Sequence, residues 1–215
     1  MGKLTSGPFG PMQGTTGRIT AYMLNGQNVT RINPDHPTKL KRDSKGQLAN
    51  QQELKIVNKF LDSLSPLLKV GFSIAAKNTT KNFYNLALSY NKKYALKGEY
   101  PDIEMDYPNV RISEGGLPPA LNPIVQVVPE GLKFSWDQAT GYDQNRASDQ
   151  VMLLAYAPGS ERVRAIRYGA ERSEGFETLH ITDDMLSEPL ETYISFINDE
   201  RTAVATSIYT GRIGG

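Results

Sequence analysis

The spacing of apolar and polar residues changes character twice along this 215-residue chain. In the first part, the segments 18–24 and 27–32 flank Asn25-Gly26. That dipeptide favours the positive φ angles of a type I′ turn, so the sequence predicts a β-hairpin over 18–33. Because a two-stranded ribbon is only marginally stable in water, we expect the hairpin to lie on the rest of the molecule or on a neighbour.

The second pattern is helical and starts at Gln47, where apolar residues begin to recur at spacings of three and four. We expect this helix to bend at Pro66, and residues 70–76 are either its continuation or a short extended link. A second helix is predicted over 79–96, with Thr79 or Thr80 as its cap and Gly98 as its terminator. The two helices should pair antiparallel.

After Gly115-Gly116 and Pro118-Pro119, short apolar runs are separated by turns, which is typical of strands. The predicted strands cover 124–128, 132–136, 150–156, 162–168, 177–181, 191–197 and 203–209. Seven strands fit one antiparallel β-sandwich. With Trp136 on the second strand and Tyr156 on the third, this part loosely resembles an immunoglobulin or fibronectin type III domain.

These patterns predict an α+β protein with six successive regions. They are a Gly- and Pro-rich arm (1–17), a β-hairpin (18–33), a loop (34–46), an antiparallel helix pair (47–98), a linker (99–119) and a seven-stranded antiparallel β-sandwich (120–215). In the arm, Leu4, Phe9 and Met12 are isolated apolar residues. Glycine and proline are too dense there for a helix or a central strand.

The charge is divided between the two halves of the chain. Residues 1–100 hold 15 Lys or Arg against 5 Asp or Glu, a net +10, whereas residues 101–215 hold 9 against 18, a net −9. A chain with a basic and an acidic end can attract another copy head to tail, or its halves can attract each other. The absence of cysteine excludes disulfides, thiol catalysis and cysteine metal sites.

No apolar stretch has the length of a membrane helix, and the first residues lack the apolar block of a secretory signal. We therefore expect a cytoplasmic protein or a component of an exported or released assembly, with no membrane insertion.

Several short segments together resemble a known family. They are the Met1-Gly-Lys start with its spaced glycines, Gln51-Gln52, 60–72, 87–91, Tyr100-Pro-Asp102, Gly116-Leu-Pro and 120–123. They are similar to a domain-of-unknown-function family found mainly in Bacteroidota, over nearly the whole chain to 207–211. The resemblance implies no catalytic or ligand residues. Pro8 and Pro11 depart from the family's usual small and apolar N-terminal glycine run.

Candidate chemistry is sparse. His36 lies in a polar turn and His180 in a predicted strand, and neither has an identifiable partner. Asp102, Glu104 and Asp106 would project from one side of an extended segment, as ligands of a calcium ion or as a solvated edge. The basic cluster Lys39, Lys41, Arg42 and Lys45 is the one candidate for phosphate contacts, but the acidic second half argues against nucleic acid. No cofactor is expected.

The sequence favours a non-enzymatic structural protein that assembles with itself into a filament, a ring or a phage-like particle. Its arm and hairpin would pack on a neighbouring subunit by strand addition and apolar anchors. The predicted interface residues are Leu4, Phe9, Met12, Ile19, Tyr22, Leu24, Val29 and Ile32. The alternative is a module that binds glycan or protein through sandwich loops, with Tyr142 as the candidate contact.

Overall fold

The computed structural model describes residues 2–3, 12–24, 26–33, 44–77, 79–138 and 146–214. Within these residues are four α-helices and thirteen β-strands, and the strand pairs of the sheets are antiparallel. The chain therefore has the predicted α+β fold.

The predicted hairpin is present. β3 (Ile19–Leu24) and β4 (Gln27–Ile32) pair antiparallel, and the last residue of β3 lies opposite the first residue of β4. Gly26 in the intervening turn has a φ of +77°, a conformation that glycine adopts without steric cost. The turn dipeptide thus sets the register of the two strands, as predicted.

The hairpin forms the centre of a four-stranded sheet, which we call the N-terminal sheet. β1 (Gly2–Lys3) pairs with β4, and β2 (Gly14–Thr16) pairs with β3, so the order is β1-β4-β3-β2. The prediction of a pure arm over 1–17 was therefore wrong at these two places. Glycine and proline disfavour a central strand, but a short edge strand needs only part of its main chain to pair.

Three helices follow the N-terminal sheet: α1 (Lys45–Ser63), α2 (Ser65–Ala76) and α3 (Phe83–Tyr94). The expected bend takes the form of a break at Leu64, and Pro66 lies in the first turn of α2, where no N–H is needed. Residues 70–76, which the sequence left open, are helical.

The predicted limits of α3 were wrong. Its cap is Asn82, whose Oδ1 accepts a hydrogen bond from Asn85 N at 2.7 Å. Thr79 instead donates through Oγ1 to Ala76 O at the end of α2, at 2.9 Å. Gly98 does not stop the helix, because it lies after β5 (Leu96–Lys97), in the connection to β6 (Glu104–Met105).

Two antiparallel sheets make up most of the C-terminal half. One has the order β10-β9-β12-β13 and the other the order β11-β8-β7. Their strands are β7 (Ile124–Val128), β8 (Gly131–Ser135), β9 (Gln150–Ala157), β10 (Arg162–Ile166), β11 (Phe176–His180), β12 (Leu190–Ile197) and β13 (Ile208–Ile213). The short helix α4 (Asp183–Leu186) precedes β12.

Six of these strands lie within two residues of their predicted limits, but the last prediction, 203–209, was wrong. The strand begins at Ile208, and Val204 and Ala205 form only isolated bridges. The residues before Ile208 bond both to β12 and to the linker: Ala205 N donates to Phe196 O at 2.7 Å, and Thr206 Oγ1 donates to Gly115 O at 3.1 Å. Alternation therefore identified an extended segment beside β12, but it did not identify where the paired strand begins.

The four-stranded C-terminal sheet is buried on both faces. Along β9 and β12, alternate side chains point to opposite faces. One face shares a hydrophobic cluster with α1, α2 and α3, and the other shares a second cluster with β8 and β11. The helices, the four-stranded sheet and the three-stranded sheet thus form successive layers. The division into domains at residues 98 and 119 stays a prediction.

One ion pair connects the basic half to the acidic half near this packing, between Lys59 Nζ and Glu161 Oε1 at 2.5 Å. Both side chains are exposed, so the pair contributes little to stability. Among the helices of the described ranges, none is long and apolar enough to cross a membrane.

Candidate functional site

The structure does not bring the predicted chemical residues together. His180 is exposed on β11, with Nδ1 3.3 Å from Glu130 O. Glu104 faces Lys97 at 3.9 Å, whereas Asp106 accepts from Asn109 Nδ2 at 2.7 Å. In the part of the chain that the structure describes, no three His, Asp or Glu side chains are placed to hold a metal ion.

The remaining chemical candidates lie mostly outside the described residues. These are His36, Lys39, Lys41, Arg42 and Tyr142. Lys45 is the first residue of α1 and is exposed.

The predicted interface residues divide between the two faces of the N-terminal sheet. Ile19 lies opposite Ile32 on one face, and Tyr22 lies opposite Val29 on the other. Leu24 shares the second face by alternation. Met12 is half-buried and its carbonyl accepts from Asn28 Nδ2, whereas Leu4 and Phe9 lie outside the described residues.

The first face carries the exposed apolar area. Ile32 is 73% exposed and Ile19, opposite it, is 47% exposed, and Met23, on the same face by alternation, is 44% exposed. Ala21, between Ile19 and Met23 on this face, is buried, as is Asn28 opposite Met23. On the second face Val29 is buried and Leu24 is 37% exposed. We call Ile19, Met23 and Ile32 the donor face. The sequence analysis did not single out Met23, although its odd-numbered phase with Ile19 was a usable signal.

A cleft of about 550 Å³ lies where α1 meets the four-stranded C-terminal sheet. This volume is in the range of small-molecule sites, roughly 300 to 1,000 Å³. Four aromatic residues from separate elements line it: Phe60, Tyr107, Tyr156 and Tyr209. We call it the tyrosine cleft. The sequence did not predict it, because its residues come together only when the helices pack on the sheet.

The rings of the tyrosine cleft pack edge to face. The centroids of Phe60 and Tyr156 are 4.9 Å apart at 83°, and those of Phe60 and Tyr107 are 6.1 Å apart at 69°. Such pairs are stabilising beyond the apolar area that they bury. Tyr156 is largely enclosed by this packing.

Glu191 is a buried carboxylate in the wall of the tyrosine cleft. Tyr209 Oη donates to its Oε2 at 2.6 Å, and Arg212 Nε lies 3.7 Å from its Oε1. Burial, followed by this hydrogen bond, raises the pKa of the Tyr209 phenol well above its ordinary value. Each oxygen of the Glu191 carboxylate therefore has a polar partner within the protein.

The hydroxyls of Tyr107 and Tyr156 differ from that of Tyr209, because neither makes a hydrogen bond to another described residue. Burial raises the pKa of both phenols, and for Tyr107 the neighbouring Tyr156 and Glu191 add to the effect. Both phenols therefore stay protonated at neutral pH. They can donate and accept hydrogen bonds toward a ligand in the cleft.

The fold defines a class of α+β proteins in which three helices cover one face of a layered pair of antiparallel sheets. The chain belongs to DUF6266, a family of unknown function whose model matches residues 11–211. No curated protein and no solved structure was found to match it.

Proposed function

We propose that this protein is a non-enzymatic structural subunit that assembles with itself head to tail, through its N-terminal sheet, into a filament, a ring or a phage-like particle. The observation that carries the proposal is the exposure of Ile19 and Ile32, which lie opposite each other on the donor face, with Met23 as a separate exposed position on the same face. A grouped, exposed apolar surface is a common mark of a protein interface.

The structure changes the form of the proposed contact. β1 and β2 pair with the hairpin of their own chain, so the unit offered to a neighbour is the whole N-terminal sheet. Its β3–β4 core carries Ile19 opposite Ile32, which supplies a continuous apolar row across two strands. Heterologous contacts of this kind close into rings or extend into filaments.

The divided charge supports the same arrangement. Residues 1–33 contain Lys3, Arg18 and Arg31 and no acidic residue, whereas the second half of the chain is acidic. A basic N-terminal sheet is therefore attracted to the acidic half of another copy. We also propose that the C-terminal sheets resemble a fibronectin type III domain, which their antiparallel arrangement supports. We further propose that the family occurs mainly in Bacteroidota.

The test compares the mass of the full-length protein with that of Ile32→Glu by sedimentation velocity, over a concentration series at low salt. A charge at a position 73% exposed should leave the fold intact and remove the apolar contact. We expect the mass of the unmodified protein to rise with concentration and that of Ile32→Glu to stay at the monomer. Leu48→Glu on α1, at a residue 38% exposed, is the matched control and should assemble normally.

If the unmodified protein stays monomeric at every concentration and salt tested, the assembly proposal is wrong.

The tyrosine cleft favours a second candidate, the binding of a neutral ligand rich in hydroxyl groups, such as a saccharide. Its rim charges are paired, Lys59 with Glu161 and Lys97 with Glu104, whereas the hydroxyls of Tyr107 and Tyr156 have no described partner. Paired charges disfavour an ionic ligand, and free phenols suit hydroxyl groups.

Titration calorimetry with a panel of neutral saccharides tests this candidate. We expect binding that is weakened in Tyr107→Phe, which removes one hydroxyl and keeps the ring. Tyr84→Phe, at the contact of α3 with α1 where the hydroxyl donates to Asp62, is the control, because Tyr84 does not line the cleft. Absence of heat with every saccharide, or equal binding by both variants, would contradict it.

A further inference from the structure

The outer face of the three-stranded sheet presents a second group of exposed apolar residues. In the strand register, Ile124 of β7 and Phe176 of β11 lie on either side of Ser135 of β8. All three side chains project from the face opposite to buried Phe134. Ile124 and Phe176 therefore lie in one row across the sheet, with Ser135 between them.

These residues are exposed to an extent unusual for their size. Ile124 is 56% exposed, Phe176 is 49% exposed, and Leu121, just before β7, is 53% exposed. Lys133 Nζ lies 4.5 Å from the ring centroid of Phe176 and helps to hold the ring on the surface. We call Leu121, Ile124 and Phe176 the acceptor face.

The acceptor face borders an open strand edge. β7 pairs with β8 alone, as far as the described residues extend. Its sequence Ile-Val-Gln-Val-Val carries no charge, and Val127 on it is 61% exposed. Pro123 and Pro129 flank the strand and limit pairing with another chain at its ends, so we place the contact on the outer face of the sheet rather than on the strand edge.

The charge around the acceptor face is opposite to that of the N-terminal sheet. The segments 120–138 and 171–184 hold seven Asp or Glu against two Lys or Arg. One of those two cations, Arg172, is buried and lies 3.4 Å from Asp149, so it adds little to the surface charge. The other, Lys133, lies on the acceptor face, over the ring of Phe176. Residues 1–33, by contrast, hold three cations and no acidic residue.

We infer that the acceptor face binds the N-terminal sheet of a second copy of this chain. The inference rests on the proposed self-assembly and adds the surface that receives the donor face. The two faces match in kind, since each carries exposed apolar side chains in one row across its strands, and they match in charge. Because donor and acceptor are different surfaces, each copy keeps one of each free, and the chain of contacts can continue.

Two full-length variants test the inference, each blocking one face. Ile32→Glu blocks the donor face, and Ile124→Glu blocks the acceptor face at an outward position that tolerates charge. We expect each variant alone to sediment as a monomer, with at least a tenfold loss of self-affinity. Leu48→Glu is the control and should assemble like the unmodified protein. Circular dichroism melts should show both variants folded.

The decisive sample is the equimolar mixture of Ile32→Glu and Ile124→Glu. The intact donor face of the second variant can bind the intact acceptor face of the first, so the mixture should form dimers of twice the monomer mass and nothing larger. The inference is overturned if Ile124→Glu assembles normally, or if the mixture stays monomeric. If Ile124→Glu assembles while Ile32→Glu does not, the acceptor surface is wrong and the proposed function stands.

Discussion

Asn91 is the polar residue that joins the helices to the linker. It is fully buried on α3, where its Nδ2 donates to Ala87 O and Arg111 O, both at 2.9 Å. Its Oδ1 accepts from Arg111 N at 3.0 Å. The side-chain amide of Asn91 thus hydrogen-bonds both the N–H and the C=O of Arg111, in the linker that follows the helices.

Replacing Asn91 by alanine should lower the free energy of unfolding by about 2 to 3 kcal/mol, because it leaves the N–H and C=O of Arg111 unpaired next to a cavity. The measurement is urea denaturation followed by circular dichroism. Asn85→Ala, at an exposed position of the same helix, is the control and should change stability by less than about 0.5 kcal/mol. Equal stability of the two variants would show that the linker does not depend on this amide.

Three tyrosines, the buried Tyr193 and the half-buried Tyr107 and Tyr209, make stability fall at alkaline pH. Burial is the first cause that raises the pKa of Tyr107, Tyr193 and Tyr209, and the carboxylate of Glu191 adds to the effect in all three. Above pH 10, the ordinary pKa of tyrosine, the unfolded chain releases protons that the folded chain retains. By linkage, the free energy of unfolding must then decrease as pH rises, whereas near neutral pH these groups have no effect.

Absorbance at 295 nm measures this directly. Between pH 10 and 11.5, fewer tyrosines should be ionised in the native protein than in the same protein in urea. The Tyr209→Phe variant should show a smaller difference in the number of ionised tyrosines between the native and the denatured protein. Identical titration curves for the native and denatured protein would contradict the burial of these phenols.

At the scale of elements, a glycine sets the approach of α2 to the linker. Gly71 lies inside α2, and Glu114 N donates to its carbonyl at 3.1 Å. A Cβ on Gly71 would lie well inside the van der Waals distance of Ile112 O and 2.8 Å from Ser113 Cβ. The close contact therefore requires the absence of a side chain.

Gly71→Ala should destabilise the protein by about 1 to 3 kcal/mol, although alanine is the better helix former. Gly46→Ala is the matched control, because Gly46 lies in the first turn of α1 with open space around it. That variant should gain up to about 1 kcal/mol. Thermal melts of both variants decide the matter, and a stabilised Gly71→Ala would refute the tight packing.

The elements show which physical signals a sequence carries. The turn at Gly26 and the alternation in β7 to β12 are local, and they predicted strand limits within two residues. The tyrosine cleft was not predictable, since Phe60, Tyr156 and Tyr209 belong to elements far apart in the chain. The predicted interface residues include the exposed Ile19 and Ile32 but also residues of the opposite face, because the sequence does not tell which face of a hairpin is covered.

At the scale of the whole molecule, the divided charge should make assembly sensitive to salt. Attraction between exposed charges is screened within about 10 Å at 0.1 M salt and about 3 Å at 1 M. Raising sodium chloride from 0.05 to 0.5 M should therefore weaken self-association, as measured by sedimentation velocity. If self-association is unchanged over this range of salt, the contact depends on the apolar rows alone, and the proposed contribution of charge is wrong.

The central claim is that each copy carries a donor face at Ile19, Met23 and Ile32 and a different acceptor face at Leu121, Ile124 and Phe176. Electron microscopy of the purified full-length protein at low salt tests it most directly. The account predicts fibres or rings with one chain per repeat, and their loss in Ile32→Glu. A uniform field of single monomer-sized particles at concentrations up to the solubility limit would contradict it.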